Sequence, residues 1–388
     1  MLAITGGRVL DGCGNVLENG TVLIENGKIR AVGAGLAVPE GAQVIDAAGG
    51  WVTPGLIDAH THLAVLGEPK TRGESGDANE SVAPATPHMR AIDAFDPSSP
   101  GLFHARRGGF TAACVLPGSA NVIGGTGFAF KLAPRATVDE MMIPGTEVMK
   151  FALGENPRAN YRKDNKIKTR MGVAASLRET LFAAREYSES LKSAGPGFKR
   201  DFRLEPLVPV VRGEMLCRFH CHRSDDIATV LRVAEEFSLQ YSLEHATESF
   251  KMTGQIARAG VTCVIGPLVS GPYKQEVWER SLRTPGILEK AGIPLCLTED
   301  SGILTKLLPM HVGLCIKNGL SYDGALRAVT LEAARLLGIA DRTGSLEVGK
   351  DADVAVFNGD PFSNYTTCLH TVIDGEVFTH DPAFPDMA

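Results

Sequence analysis

Between Leu56 and about Ile339, apolar runs of β character alternate with segments of helical periodicity, and this pattern narrows the fold of the 388-residue chain more than any other. The clearest runs are "GFTAACVL", "EVMKFAL", "LCRFHCH", "YSLEHA", "VTCVIGP" and "IPLCLTED". Such alternation predicts a parallel sheet joined by crossover helices. After "HCHRS", Ser224 can cap a helix, Asp225 and Asp226 suit its first turn, and Ile227, Val230, Leu231 and Ala234 keep helical spacing. A second stripe after Ser321 runs through Leu326, Val329, Ala333, Leu336 and Leu337. The span 55–342 is close to the roughly 250 residues that eight strand–helix units need. No Gly-rich dinucleotide fingerprint opens a helix, so a closed (β/α)8 TIM barrel is expected rather than an open sheet.

The two ends of the chain read differently. "TVLIENGKIRAVG" sets Asn-Gly between two β-rich runs, and "GKDADVAVFNGDP" with "TVIDGEVFTH" supplies another strand and an Asp-Gly hairpin. Residues 1–54 and 343–388 are therefore expected to form one small β-sandwich domain beside a barrel domain of residues 55–342. Two connections are long: residues 66–101, rich in Gly, Pro, Ser and charge, and the strongly basic 154–172, "GENPRANYRKDNKIKTRMG". Both are expected as lids or mobile loops.

Composition removes several function classes. The net charge of −6 leaves no basic footprint for nucleic acid and no polybasic membrane anchor, and no apolar run is long enough to span a bilayer. The segment "MLAITGGRVLDGCGNV" lacks the basic and apolar regions of a signal peptide, so a cytoplasmic location is expected. Eight scattered cysteines without a CxxC pair read as reduced thiols, mostly in the core. Small-molecule chemistry is the remaining expectation.

Strand parity points to its location. In "WVTPGLIDAHTHLAV", Asp58, His60 and His62 share one face of a strand, and Ile57, Ala59, Thr61 and Leu63 the other. In a barrel the polar set points inward near the strand's C-terminal end, where barrel enzymes hold their active sites. "LCRFHCH" repeats the pattern, with Arg218, His220 and His222 on one face and Cys217, Phe219 and Cys221 on the other. His245 ends a further run and Asp300 ends the last. One histidine is commonly structural, but several at successive strand ends, joined by an acid, point to a metal centre, because buried polar groups must all find partners.

These residues, with "PGLIDAHTHL" on the first strand and "GSLEVGKDADVAVFNGDP" near the C-terminus, resemble the metal-dependent amidohydrolase superfamily over nearly the whole chain. Within it the chain looks most like the imidazolonepropionase-related branch, which includes metal-dependent dipeptidases. The resemblance implies that His60 and His62 bind one metal, His220 and His245 a second, and Asp300 acts as both ligand and proton shuttle. His222 becomes a substrate contact. The implied cofactor is two Zn2+ per chain, bridged by Lys150 carboxylated with CO2 or, in the rival reading, by Glu155; Lys131 in "FAFKL" is a weaker third candidate.

The implied reaction is hydrolysis of an amide-type C–N bond, in a dipeptide, N-acyl amino acid or cyclic amide, by water that the metals activate. A homo-oligomer is expected, with no nucleic-acid or membrane partner. Two departures from related sequences stand out. Ser301 and Gly302 follow Asp300 where a histidine is usual, and "FHCHR" lacks the acid that deaminases carry after the fifth-strand histidine. A mononuclear deaminase or ring-amidine hydrolase, using His60, His62, His220 and Asp300, is the alternative, and a catalytically silent member is the third reading.

Overall fold

The computed structural model describes all residues except 67–75, 165, 272 and 381–388. Eight strands, hydrogen-bonded in chain order, form the barrel: β1 (Leu56–Thr61), β2 (Phe110–Val115), β3 (Ile123–Lys131), β4 (Val148–Ala152), β5 (Cys217–Cys221), β6 (Tyr241–His245), β7 (Cys263–Ile265) and β8 (Leu295–Leu297). Beyond β8, Thr298 Oγ1 donates to the His60 carbonyl at 2.5 Å and Ser301 accepts from the His62 amide at 3.1 Å, which ties the last strand back to the first.

One strand departs from the all-parallel expectation. β3 runs antiparallel to both β2 and β4. Only residues 116–122 separate β2 from β3, too few for the dozen or more that a parallel crossover needs, so the chain must turn straight back. Its sequence, "IGGTGFAFK", carries three glycines and hides the strand from an apolar-run search. Gly125 among them has φ +112°, and a Cβ there would stand 2.3 Å from the Met89 carbonyl, so only glycine lets the 85–90 segment cross β3 this closely.

Three helices matter for the site: α1 (Glu155–Tyr161), α2 (Arg170–Lys192) and α3 (Ser224–Phe237). The basic connection, expected as a loop, thus contains α1, anchored by fully buried Tyr161, whose hydroxyl bonds the Ala83 carbonyl at 2.6 Å and Asn121 Oδ1 at 2.5 Å. Helix α3 buries Ile227, Val230 and Ala234 as its spacing requires, but Ser224 does not cap it: the residue lies inside the helix, and its amide and hydroxyl both donate to Glu248, at 2.8 and 2.9 Å. The stripe after Ser321 is split between Tyr322–Ala328 and Leu331–Leu336, and here Ser321 does cap, accepting from the Gly324 amide.

Strands from residues 2–54 and 354–379 join in one further sheet, where Trp51–Pro54 pairs with Val354–Phe357. Ile4, Val22, Ile29, Val52, Val354 and Val372 share its core. Asn26-Gly27 and Asp374-Gly375 turn its hairpins with both residues in the left-handed region. Lys131, at the end of β3, binds Asp353 at 2.5 Å, Asp374 at 3.0 Å and Asp351 at 3.2 Å. Its ammonium is committed to this acidic trio between barrel and terminal sheet, which removes Lys131 as a lysine of the histidine cluster. All eight cysteines are unbridged, and seven are buried. Among the described residues no helix is long and apolar enough to cross a membrane.

Candidate metal centre

His60 lies within β1, His62 just past its end, Lys150 in β4, His220 in β5, His245 at the end of β6 and Asp300 beyond β8. The barrel brings them together. Asp300 Oδ1 stands 3.4 Å from His60 Nε2 and 3.3 Å from His62 Nε2, and Lys150 Nζ lies 3.0 Å from His60 Nε2. Ring centroids run on from His60 to His245 at 4.9 Å, from His245 to His220 at 4.5 Å, and from His220 to His222 at 4.7 Å. His245 and Asp300 reach the centre through left-handed backbone, with φ +65° and +51°. Such conformations cost non-glycine residues free energy and persist where the surroundings hold them.

Except in His220, the second nitrogen of each ring is already taken. His62 Nδ1 faces the Leu116 carbonyl at 2.8 Å and His245 Nδ1 the Gly266 carbonyl at 2.7 Å; a carbonyl only accepts, so these nitrogens carry the hydrogen and Nε2 keeps the lone pair. His60 Nδ1 donates to Glu244 Oε2 at 2.6 Å, the carboxylate–histidine arrangement that orients metal ligands. Glu244 is held in turn by Arg218, at 2.7 and 2.9 Å, with neither side chain exposed. Burial alone would raise the Glu244 carboxyl, but Arg218 and His60 outweigh it and keep the acid ionised.

The electrostatics suit a cation. Burial, foremost, holds the imidazoles of His60, His220, His222 and His245 below the ordinary histidine range, which favours the neutral rings at pH 7. Burial opposes ionisation of Asp300, yet His245, His62 and His60 outweigh it and keep the carboxyl well below its usual range. Burial also lowers the Lys150 ammonium to about 8, against the pull of Asp300 and Glu244. Asp300 Oδ1, His220 Nδ1 and His222 Nε2 are buried atoms without a hydrogen-bond partner. Ligand atoms of His60, His245 and Asp300 lie within 4.8 Å of one another, as do those of His220, His222 and Glu276. Converging lone pairs with no proton between them are costly unless a cation joins them, and the donor set of imidazole and carboxylate fits a zinc-like ion.

Several neighbours carry no sequence signal. Glu276 Oε1 is 3.9 Å from His220 Nε2, 3.8 Å from His222 Nε2 and 2.7 Å from Lys274 Nζ. Lys274 also donates to Asn156 Oδ1 at 2.9 Å, and Asn156 Nδ2 is 3.4 Å from His220 Nε2. These are loop and short-helix residues, where periodicity has no meaning. Glu155 sits differently: its amide donates to Glu276 Oε2 at 2.7 Å, and the residue lines a neighbouring cavity. Gly154, with φ +88°, permits this, since a Cβ there would lie 2.6 Å from Glu276 Oε2.

Residues 214–379 match the family described as "Amidohydrolase family". The crystal structure of an amidohydrolase from Thermotoga maritima superimposes with a TM-score of 0.93 at 31% sequence identity, covering 98% of this chain and 100% of that one. The imidazolonepropionase of Mesorhizobium japonicum is 25% identical across 88% of this chain and 87% of its own length. Amidohydrolase tasK of Hapsidospora irregularis is 27% identical across 94% of this chain, which spans only 40% of that longer protein.

Proposed function

Because the chain belongs to the amidohydrolase superfamily, among its imidazolonepropionase-related members, we propose that it is a metal-dependent hydrolase of amide-type C–N bonds, acting on a dipeptide, an N-acyl amino acid or a cyclic amide. The observation that carries this reading is the convergence of His60 Nε2 and His62 Nε2 on Asp300 Oδ1, within 3.4 Å. His60 and His62 would hold one divalent ion, His220 and His245 a second, with Lys150 between them as a carbamate. The lowered Lys150 pKa supports that modification, since the neutral amine is the form that adds to CO2, losing a proton as the N–C bond forms. A carbamate would replace a cation beside the metals by a negative oxygen ligand.

When bound, such ions act as Lewis acids that lower the pKa of water and polarise a carbonyl. Asp300, ionised and with Oδ1 unpartnered, accepts the proton of the attacking water and returns it to the leaving nitrogen. His222, its Nδ1 2.8 Å from Thr247 Oγ1, turns an unpartnered Nε2 to the substrate. Glu244 and Arg218 keep His60 from rotating.

Elemental analysis of protein purified without a tag or chelator, with bicarbonate present, tests the centre. Two zinc-like ions per chain and turnover of at least one amide class are expected. One ion would move the reading to a mononuclear hydrolase or deaminase. No ion after metal supplementation would overturn it in favour of a silent relative.

A further inference from the structure

A cavity of about 200 Å³, lined among others by Glu155, Arg158, Arg162, Arg170 and Arg223, shares Glu276 with the surroundings of His220 and His222. In a chain of net charge −6, four guanidinium groups around one small cavity are a local exception. Two are already matched. Arg170 Nε bonds both oxygens of Asp226 at 3.0 Å, and Arg223 holds Asp225 at 2.9 and 3.1 Å. Glu276 is matched as well, by Lys274 at 2.7 Å.

Among the described residues Arg158 and Arg162 have no acidic partner, and the Arg158 Nε is buried without any hydrogen-bond acceptor. An unsatisfied buried donor costs free energy, more so when charged, and a carboxylate is the acceptor whose two oxygens fit the guanidinium fork. The cavity is coupled to the centre by its own wall. Glu276 lies against His220 and His222 on one side and lines the cavity on the other. Helix α1 borders both places: Asn156 lies beside His220, while Glu155, Arg158 and Arg162, spaced three and four residues apart, line the cavity from one side of the helix.

We propose that this cavity is the acid subsite of the enzyme, and that the substrate is an amide bearing a carboxylate, bound by Arg158 and Arg162 while its C–N bond lies at the histidines. The inference deepens, and rests on, the amide-hydrolase reading above. Glu155, the remaining carboxylate of the cavity, has no cationic partner among the described residues and opposes the bound anion; it sets how tightly the acid is held.

Metal-loaded enzyme should be tested with N-acyl amino acids and dipeptides, each as free acid and as carboxamide, and separately titrated with glutarate by calorimetry. The wild type should prefer free acids through KM, by about tenfold to hundredfold, the range of a charge-assisted hydrogen bond. Arg162→Gln, an exposed change, and Arg158→Gln should each reduce that preference, and the double variant should bring the free-acid and carboxamide KM values together. Glutarate should bind the double variant at least tenfold more weakly and Glu155→Gln severalfold more tightly. Equal turnover of acid and carboxamide, or preference and glutarate affinity that survive in the double variant, would overturn the subsite. If no amide is cleaved at all, the hydrolase reading fails, while the glutarate titration still decides whether the arginines bind an acid.

Discussion

Glu244 Oε2 lies 2.6 Å from His60 Nδ1, and neither side chain has exposed surface. The same carboxylate carries Arg218, so one buried acid both fixes the His60 ring and neutralises a buried guanidinium. Glu244→Gln should weaken metal binding by about 10- to 100-fold, the usual effect of removing a partner behind a histidine ligand. It should also lower the stability by about 3–5 kcal/mol, because Arg218 is left without its counter-charge. Chelator competition and urea unfolding read the two effects separately. Unchanged metal affinity with lowered stability would mean that Glu244 serves Arg218 alone.

Asp300 is the proton carrier in the proposed mechanism, and Asn has its shape without its basicity. Asp300→Asn should keep the fold and most of the metal but reduce kcat by about 10²- to 10⁴-fold, the range of general acid–base catalysis. The comparison requires metal content and kcat on the same sample. Near-normal turnover at full metal occupancy would remove Asp300 from the proton path.

Lys131 offers a control outside the centre. Its ammonium, 8% exposed, joins Asp351, Asp353 and Asp374 across barrel and terminal sheet. Lys131→Met strands buried carboxylates, a loss of about 3–5 kcal/mol for a broken buried pair. Lys28 and Arg342 still hold Asp351, at 2.5 and 2.9 Å, so the lower end is expected. Urea unfolding should move to lower denaturant while kcat/KM per folded molecule stays unchanged. A parallel loss of activity would connect this trio to the site.

What was legible in the sequence follows the regularity of the backbone. Alternation along β1 puts His60 and His62 on one face, and both rings come within 3.4 Å of Asp300 Oδ1 even though the pairing with β2 shifts register between Asp58 and Thr61. The same rule misses Glu244: His245 was the visible strand-end residue, and alternation sends its neighbour to the opposite face. The left-handed backbone at His245 breaks the alternation, so both residues reach the centre. Asp300 reaches it by a similar turn, while the preceding Glu299 bonds His311 instead. β3 was hidden because glycines replaced the apolar run. Asn156, Lys274 and Glu276 were hidden because their positions depend on how loops from different strands meet, which no local period encodes.

Acidification destabilises the fold through His380. Its Nε2 lies 3.0 Å from Thr371 Oγ1, which donates to the Arg106 carbonyl at 2.8 Å, so the neutral ring is the donor in a chain linking the terminal sheet to the barrel. Burial, foremost, with Arg107, Arg106 and His370 nearby, lowers its pKa to about 4 from the ordinary 6.5. Between these values the unfolded chain binds a proton that the folded chain refuses, so stability rises with pH there. The contribution is complete above about 6.5 and is lost as acidification approaches 4. His380→Gln keeps an amide donor and cannot titrate. Its melting temperature should therefore fall less than that of the wild type between pH 6.5 and 4, with parallel behaviour above 7. Identical slopes for the two proteins across that window would mean that His380 is not held neutral by the fold.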